Sequence, residues 1–91
     1  MNYGKDKPIR ITLPCTIGYN VDLNAFKHRL VAVAYEVEEI AHMPQPLVQL
    51  MNLRNYAAEF TLYVYTYSPV LIPQLESVLR ERIREMYKTE G

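Results

Sequence analysis

Three side chains in this sequence could do metal or nucleophilic chemistry: Cys15, His28 and His42. Thiolate and imidazole are zinc ligands, and a cysteine beside a histidine can act as a nucleophile. On the helix predicted for about residues 22–41, however, the two histidines would stand about 21 Å apart at about 1.5 Å per residue. Cys15 falls on the apolar face of a predicted strand, and no glycine-rich elbow accompanies it. We therefore predict no metal site, no cofactor and no catalytic residue, so that the chain is not an enzyme.

The charged residues do not converge on a site either. Glu36, Glu38 and Glu39 spread around the first predicted helix, which indicates solvated surface, with a charged lining near an opening as the alternative. Arg82 lies within the apolar stripe of the last predicted helix. We expect its stem to pack and its guanidinium to reach water, and an ion pair to another subunit is the alternative. Ten basic and ten acidic residues balance to zero net charge, which argues against a nucleic-acid partner.

The stretch 56–67, YAAEFTLYVYTY, alternates in the manner typical of a strand. One face carries Tyr63, Tyr65 and Tyr67, whose rings would expose roughly several hundred Å² if nothing covered them. We predict that these tyrosines contact a partner, and a cross-strand ladder that faces solvent is the alternative. We predict that the other face of this strand forms part of the core. It consists of Ala58, Phe60, Leu62, Val64 and Thr66.

The first helix is predicted to start after an N-cap at Asp22 and to run to about Ala41, where the prolines at 44 and 46 stop it. Apolar residues recur along it at helical spacing. Its outer side carries Val31 and Tyr35, which makes that side more apolar than a solvated face. We therefore add these two residues to the three tyrosines as a candidate subunit or domain interface.

The remaining pattern predicts a strand over residues 9–17, a strand over residues 47–53 and a helix from Pro73 to about Lys88. Pro14 requires an edge position or a bulge because proline has no N–H. Arg54-Asn55 is predicted to form a short hairpin turn, in which asparagine is able to take the left-handed conformation. The order βαββα predicts an α+β, ferredoxin-like fold: an antiparallel-rich sheet with two helices on one face and its last strand missing. An exposed sheet edge of such a fragment could pair two copies.

Several segments together resemble the C-terminal cytosolic domain of the small-conductance mechanosensitive ion channel family. No single one is specific, and their order and spacing carry the resemblance over nearly the whole chain. The pattern comprises the Asn2-Tyr3 junction, the turn Ile17-Gly18-Tyr19-Asn20-Val21-Asp22, the Pro44-x-Pro46-x-Val48 entry to a strand, Leu53 with the aromatic strand 56–67, and the helix that leads to Gly91. Asn20-Val21 and Arg54-Asn55 depart from the family pattern.

The resemblance implies a homoheptameric membrane protein that opens under bilayer tension and passes ions and small solutes. Residues 1–8 would then be a linker from a preceding β-domain, and residues 9–91 a truncated ferredoxin-like domain of the cage on the cytoplasmic side of the cell membrane. The implied partners are other copies of the same chain. Contact with the membrane would be made only through a missing N-terminal part.

Two other readings compete with a channel domain. A free-standing ferredoxin-like module that binds a ligand or regulates a partner has the same order of elements. The cytosolic domain of a cation-efflux transporter has a similar topology, but it requires converging His and Asp ligands that this pattern does not supply. The coding sequence on either side of these residues would distinguish the first of these from a channel.

Overall fold

A computed structural model describes the backbone of residues 7–90 and the side chains of residues 7–88. Most of the predicted leader, with the Asn2-Tyr3 junction, and Gly91 lie outside the described residues. One strand and one helix occupy the first half, and a two-stranded hairpin and a second helix occupy the rest. In chain order the elements are β1 (Ile9–Gly18), α1 (Leu23–Glu36), β2 (Leu47–Leu53), β3 (Ala57–Thr66), a 3₁₀ turn (Pro69–Leu71) and α2 (Ile72–Glu90).

The three strands form one antiparallel sheet in the order β1-β3-β2. Ile9 pairs with Thr66 and Gly18 with Ala57, so β1 runs along the whole length of β3. Because β3 is central, Pro14 lies on an edge strand, as its missing N–H requires. The α+β, ferredoxin-like fold class that the order of elements predicts is confirmed.

Both helices cover the same face of the sheet, and their apolar stripes meet the predicted core face of β3. The Phe26 ring lies 5.9 Å from the Phe60 ring and 5.9 Å from the Tyr87 ring, so α1, β3 and α2 meet at this residue. The five predicted core residues of β3 are all buried. The helices add Phe26, Leu30, Val33, Ala34, Leu75, Leu79, Ile83 and Met86 to the same cluster.

Helix α1 begins as predicted but ends five residues early. The Asp22 carboxylate accepts the backbone N–H groups of Asn24 and Ala25 at 3.0 and 3.3 Å. At the other end Val37 is already extended, so the prediction of a helix to Ala41 was wrong. The backbone N–H of Ala41 instead donates to the carbonyl of Tyr65 at 2.7 Å. A bond to the sheet thus replaces a helical bond, and Val37 stays buried in the turn that results.

The β2–β3 hairpin closes without a left-handed residue. No residue other than glycine has a positive φ in the described part of the chain, so Asn55 does not use the left-handed conformation that is open to it. The backbone N–H of Arg54 donates to the carbonyl of Ala57 at 2.8 Å across the turn. The Arg54 Nε also lies 2.7 Å from a Glu59 Oε2, and this contact bridges the turn and β3.

Candidate assembly surface

Strand β3 directs its tyrosines away from the helices, as the alternation predicts. Tyr63 and Tyr65 are half-buried on the open face of the sheet, and Tyr67 follows the end of the strand and is exposed. Tyr63 stands opposite Thr12 on β1 and Leu47 on β2. Both helices lie on the other face of the sheet. Within the described residues, these rings are therefore covered only by side chains of the neighbouring strands. We call Tyr63, Tyr65 and Tyr67 the tyrosine face.

One cation stands over this face. The Arg10 guanidinium carbon lies 5.1 Å from the centre of the Tyr63 ring, within the range of a cation–π contact. Arg10 is also the register partner of Tyr65, so a single positive charge stands beside both half-buried rings. The tyrosine face is therefore amphipathic, with aromatic surface next to a charge. A face of this kind suits a partner surface that is itself partly polar.

The far end of the tyrosine face is held by the segment that follows α1. The Tyr67 hydroxyl donates to the carbonyl of Met43 at 3.3 Å. The Thr66 hydroxyl, on the core side, donates to the carbonyl of Glu39 at 3.1 Å. With the Ala41–Tyr65 backbone bond, these contacts attach residues 39–43 to the last residues of β3. The position of Tyr67 is therefore set by tertiary hydrogen bonds as well as by the strand.

The structure does not bring all five predicted interface residues onto one surface. Val31 is half-buried and packs against the edge of the core on the helix side of the sheet. Tyr35 is exposed, and its ring meets that of His42 edge-on at 5.1 Å. Since His42 adjoins Met43, Tyr35 lies towards the Tyr67 end of the molecule. Val31 is separated from Tyr63 and Tyr65 by the thickness of the sheet.

The other candidate residues take ordinary structural positions. His42 lies beyond α1, so the helical separation assumed for the two histidines does not apply. Within residues 7–90, no group of three or more His, Cys, Asp or Glu side chains could hold a metal ion. The Arg82 Nη1 contacts a Glu36 Oε1 at 2.9 Å and so joins the two helices, while the Arg82 side chain remains 46% exposed. This pair is largely exposed and adds about 1 kcal/mol at most.

Cys15 is a buried thiol in a position that suppresses its reactivity. Burial raises the pKa of the thiol to about 11, while the nearby Arg80 acts in the opposite direction. Because the folded chain holds this proton more tightly than the unfolded chain, the contribution of Cys15 to the free energy of unfolding is fully present below about pH 9. It falls as the pH rises from about 9 to about 11.

We expect Cys15 to react at least about 100-fold more slowly with a thiol reagent at pH 8 in the folded chain than in denaturant. The pKa of about 11 leaves about 100-fold less thiolate than an unperturbed pKa of about 9, and burial adds a steric barrier. The test is the rate of alkylation measured by mass spectrometry with and without urea. Equal rates would show that the thiol is open to solvent.

Sequence reasoning missed the exposed apolar side chains of β2. Leu50, Met51 and Leu53 are about half exposed, although the strand pairs with β3 along its length. Val48 is buried beneath the helices, so the cover ends within this strand. The strand LVQLMNL holds no charged residue, so its sequence looks like that of a buried strand. We call Leu50, Met51 and Leu53 the β2 flank.

Fold and surface together define a class: a ferredoxin-like α+β domain whose exposed features are apolar and aromatic surfaces. Residues 11–91 match the family described as mechanosensitive ion channel MscS, C-terminal. The match covers most of the chain, and the protein therefore belongs to this family. No curated protein matches the chain. Neither helix within residues 7–90 has the length and hydropathy needed to cross a bilayer.

Proposed function

We propose that this chain is the cytosolic assembly and vestibule domain of a tension-gated mechanosensitive channel. It does no chemistry: it supplies subunit contacts and the shape of the cage, while tension is sensed in the membrane part of the protein. The observation that carries the proposal is the family match over residues 11–91. The surface features support it, because the described residues present aromatic and apolar faces suited to protein contacts.

The same proposal assigns the parts of the chain. Residues 1–8 form a linker from a preceding β-domain, and residues 9–91 form the ferredoxin-like domain, which a further strand completes in the full channel. The partners are other copies of the chain, arranged as a heptamer on the cytoplasmic side of the membrane, with ions and small solutes passing through the assembly. Nucleic acid is not a partner, since the net charge is zero.

Within this role the tyrosine face is the contact surface to a neighbouring subunit or domain, with Tyr35 at its end and Val31 on the opposite side of the sheet. Tyrosine and arginine are among the residue types enriched in protein interfaces and in their energetic hot spots. The Arg10–Tyr63 contact presents both types together. A partner that covers them gains apolar burial and retains the cation–π contact.

Replacing Tyr63 and Tyr65 together by serine in the full-length channel is expected to weaken assembly by about 30-fold to 1,000-fold, since interface tyrosines each contribute about 1–2 kcal/mol and about 1.4 kcal/mol is a tenfold change. The measurement is the fraction of assembled subunits after solubilisation, determined by native mass spectrometry, with channel opening under tension recorded in parallel. Tyr56→Ser is the matched control, because Tyr56 is almost fully exposed at the hairpin turn. Unchanged assembly and gating in the double variant would count against the proposal.

A further inference from the structure

The tyrosine face carries a positive charge near one of its ends. Arg10 is exposed, stands over Tyr63 and is the register partner of Tyr65, close to the end of β3 that leads to Tyr67. Within the described residues, no carboxylate forms a salt bridge with its guanidinium. A surface that covers these rings also covers this cation, and a covered cation without a carboxylate is costly. The tyrosine face therefore suits a partner surface that is negatively charged at this end.

An acidic surface lies at the same end of the molecule, on the helix side of the sheet. Glu38 and Glu39 follow the end of α1, and both are exposed; we call them the acidic turn. They border a groove of about 200 Å³ between α1 and α2, whose other lining residues are mostly apolar. Glu36 and Arg82 in this groove pair with each other, so the acidic turn gives the groove a net negative charge. Glu81 of α2 suits a cation less well, because arginines flank it on both sides in the sequence.

The cation and the acidic turn stand at the same level along the central strand. The backbone N–H of Ala41 donates to the carbonyl of Tyr65, and the Glu39 carbonyl accepts the Thr66 hydroxyl, so the acidic turn is attached beside the last residues of β3. Arg10 pairs with Tyr65 at that level. The cation lies on the open side of the sheet and the acidic turn on the helix side.

A closed ring of more than two identical subunits needs this kind of arrangement. Its subunits meet head to tail, so each subunit uses two different surfaces, one for each neighbour. Rotation about the ring axis also keeps every atom at its height along that axis. Surfaces that meet therefore stand at similar heights on different sides of the subunit, and the tyrosine face and the acidic turn do so when β3 runs along the axis.

We propose, on the basis of the ring in the proposed function, that the tyrosine face of each subunit packs against the helix side of the next subunit, with Arg10 facing the acidic turn of that copy. Val31 and Tyr35 precede the acidic turn on α1 and give the tyrosine rings partly apolar surface to contact. The position of Val31, across the sheet from the tyrosines, is then the one that a head-to-tail contact requires. Charge complementarity sets which surfaces meet.

The test is charge reversal in the full-length channel, measured as the fraction of assembled subunits by native mass spectrometry. We expect Arg10→Glu and Glu38→Arg/Glu39→Arg each to reduce assembly by about tenfold or more, because like charges then face each other at every contact. Combining the two sets of changes restores opposite charges at every contact and should recover most of the loss. Glu81→Arg is the matched control, since it makes the same change at an exposed position outside the groove, and it should assemble like the wild type.

The combined variant distinguishes a contact from damage to the fold, because further charge changes do not rescue an unfolded chain. A combined variant that assembles no better than Arg10→Glu overturns the proposal, and so does normal assembly of Glu38→Arg/Glu39→Arg. If Tyr63→Ser/Tyr65→Ser weakens assembly while the acidic-turn variant assembles normally, the tyrosine face meets a different surface and the channel role stands. Wild-type subunits that do not assemble overturn the channel role and this contact with it.

Discussion

Replacing Phe26 by alanine is expected to lower the free energy of unfolding by about 3–5 kcal/mol, the usual cost of removing a phenylalanine from a core. Phe26 is fully buried, and its ring contacts one ring on β3 and one on α2. The alanine variant therefore removes the contact by which three elements meet. Collapse around the cavity is restricted, because Phe60 is held by strand pairing on both sides.

An effect of that size is a large part of the total, since domains are stable by only about 5–15 kcal/mol. In a chain of 91 residues each kcal/mol corresponds to about 4–8 °C in Tm. The measurement is urea denaturation followed by circular dichroism, supported by thermal melting. Tyr56→Ala is the control, because it removes an aromatic ring that is almost fully exposed. A loss below about 1 kcal/mol for Phe26→Ala would show that the ring is not a central core residue.

Replacing Thr66 by valine is expected to cost about 1–3 kcal/mol, although the two side chains have nearly the same shape. The Thr66 hydroxyl is fully buried; it donates to the carbonyl of Glu39 at 3.1 Å and accepts the backbone N–H of Ser68 at 3.1 Å. Valine removes both bonds and leaves two backbone groups without this partner. The penalty comes from those unpaired groups, because the apolar volume is unchanged.

The matched control is Thr12→Val, which makes the same chemical change at an exposed position on the open face of β1. We expect it to change the free energy of unfolding by no more than about 0.5 kcal/mol. Denaturation gives the stability difference, and amide exchange at Ser68 reports the lost bond directly. Equal costs for the two variants would mean that the Thr66 hydroxyl does not hold the turn after α1.

The part of the fold that depends on periodicity was predictable. Alternation along β3 is a local property of neighbouring residues, and it predicted which side of the strand faces the core and which side carries the tyrosines. The apolar stripes of both helices were predictable for the same reason. The residues that ended up buried on α1 and α2 largely match the stripes, because burial of apolar area is the main force that orients a helix.

The surfaces were only partly predictable. The tyrosines lie on the open face as expected, but Val31 lies across the sheet from them, since both helices cover one face. The β2 flank escaped notice because its leucines look like core residues in a sequence. Whether an apolar side chain at a sheet edge is covered depends on how far the helix above it extends. The sequence of β2 alone does not predict the extent of that helix.

Local patterning thus decided the order and type of the elements and the buried side of each. Packing between distant segments decided the rest: the early end of α1, the Glu36–Arg82 contact and the exposure of Leu50 and Leu53. The physical reason is that a backbone hydrogen bond or an ion pair goes to the partner that is nearest in space. For Ala41 that partner is Tyr65 on β3, which lies far away in the sequence.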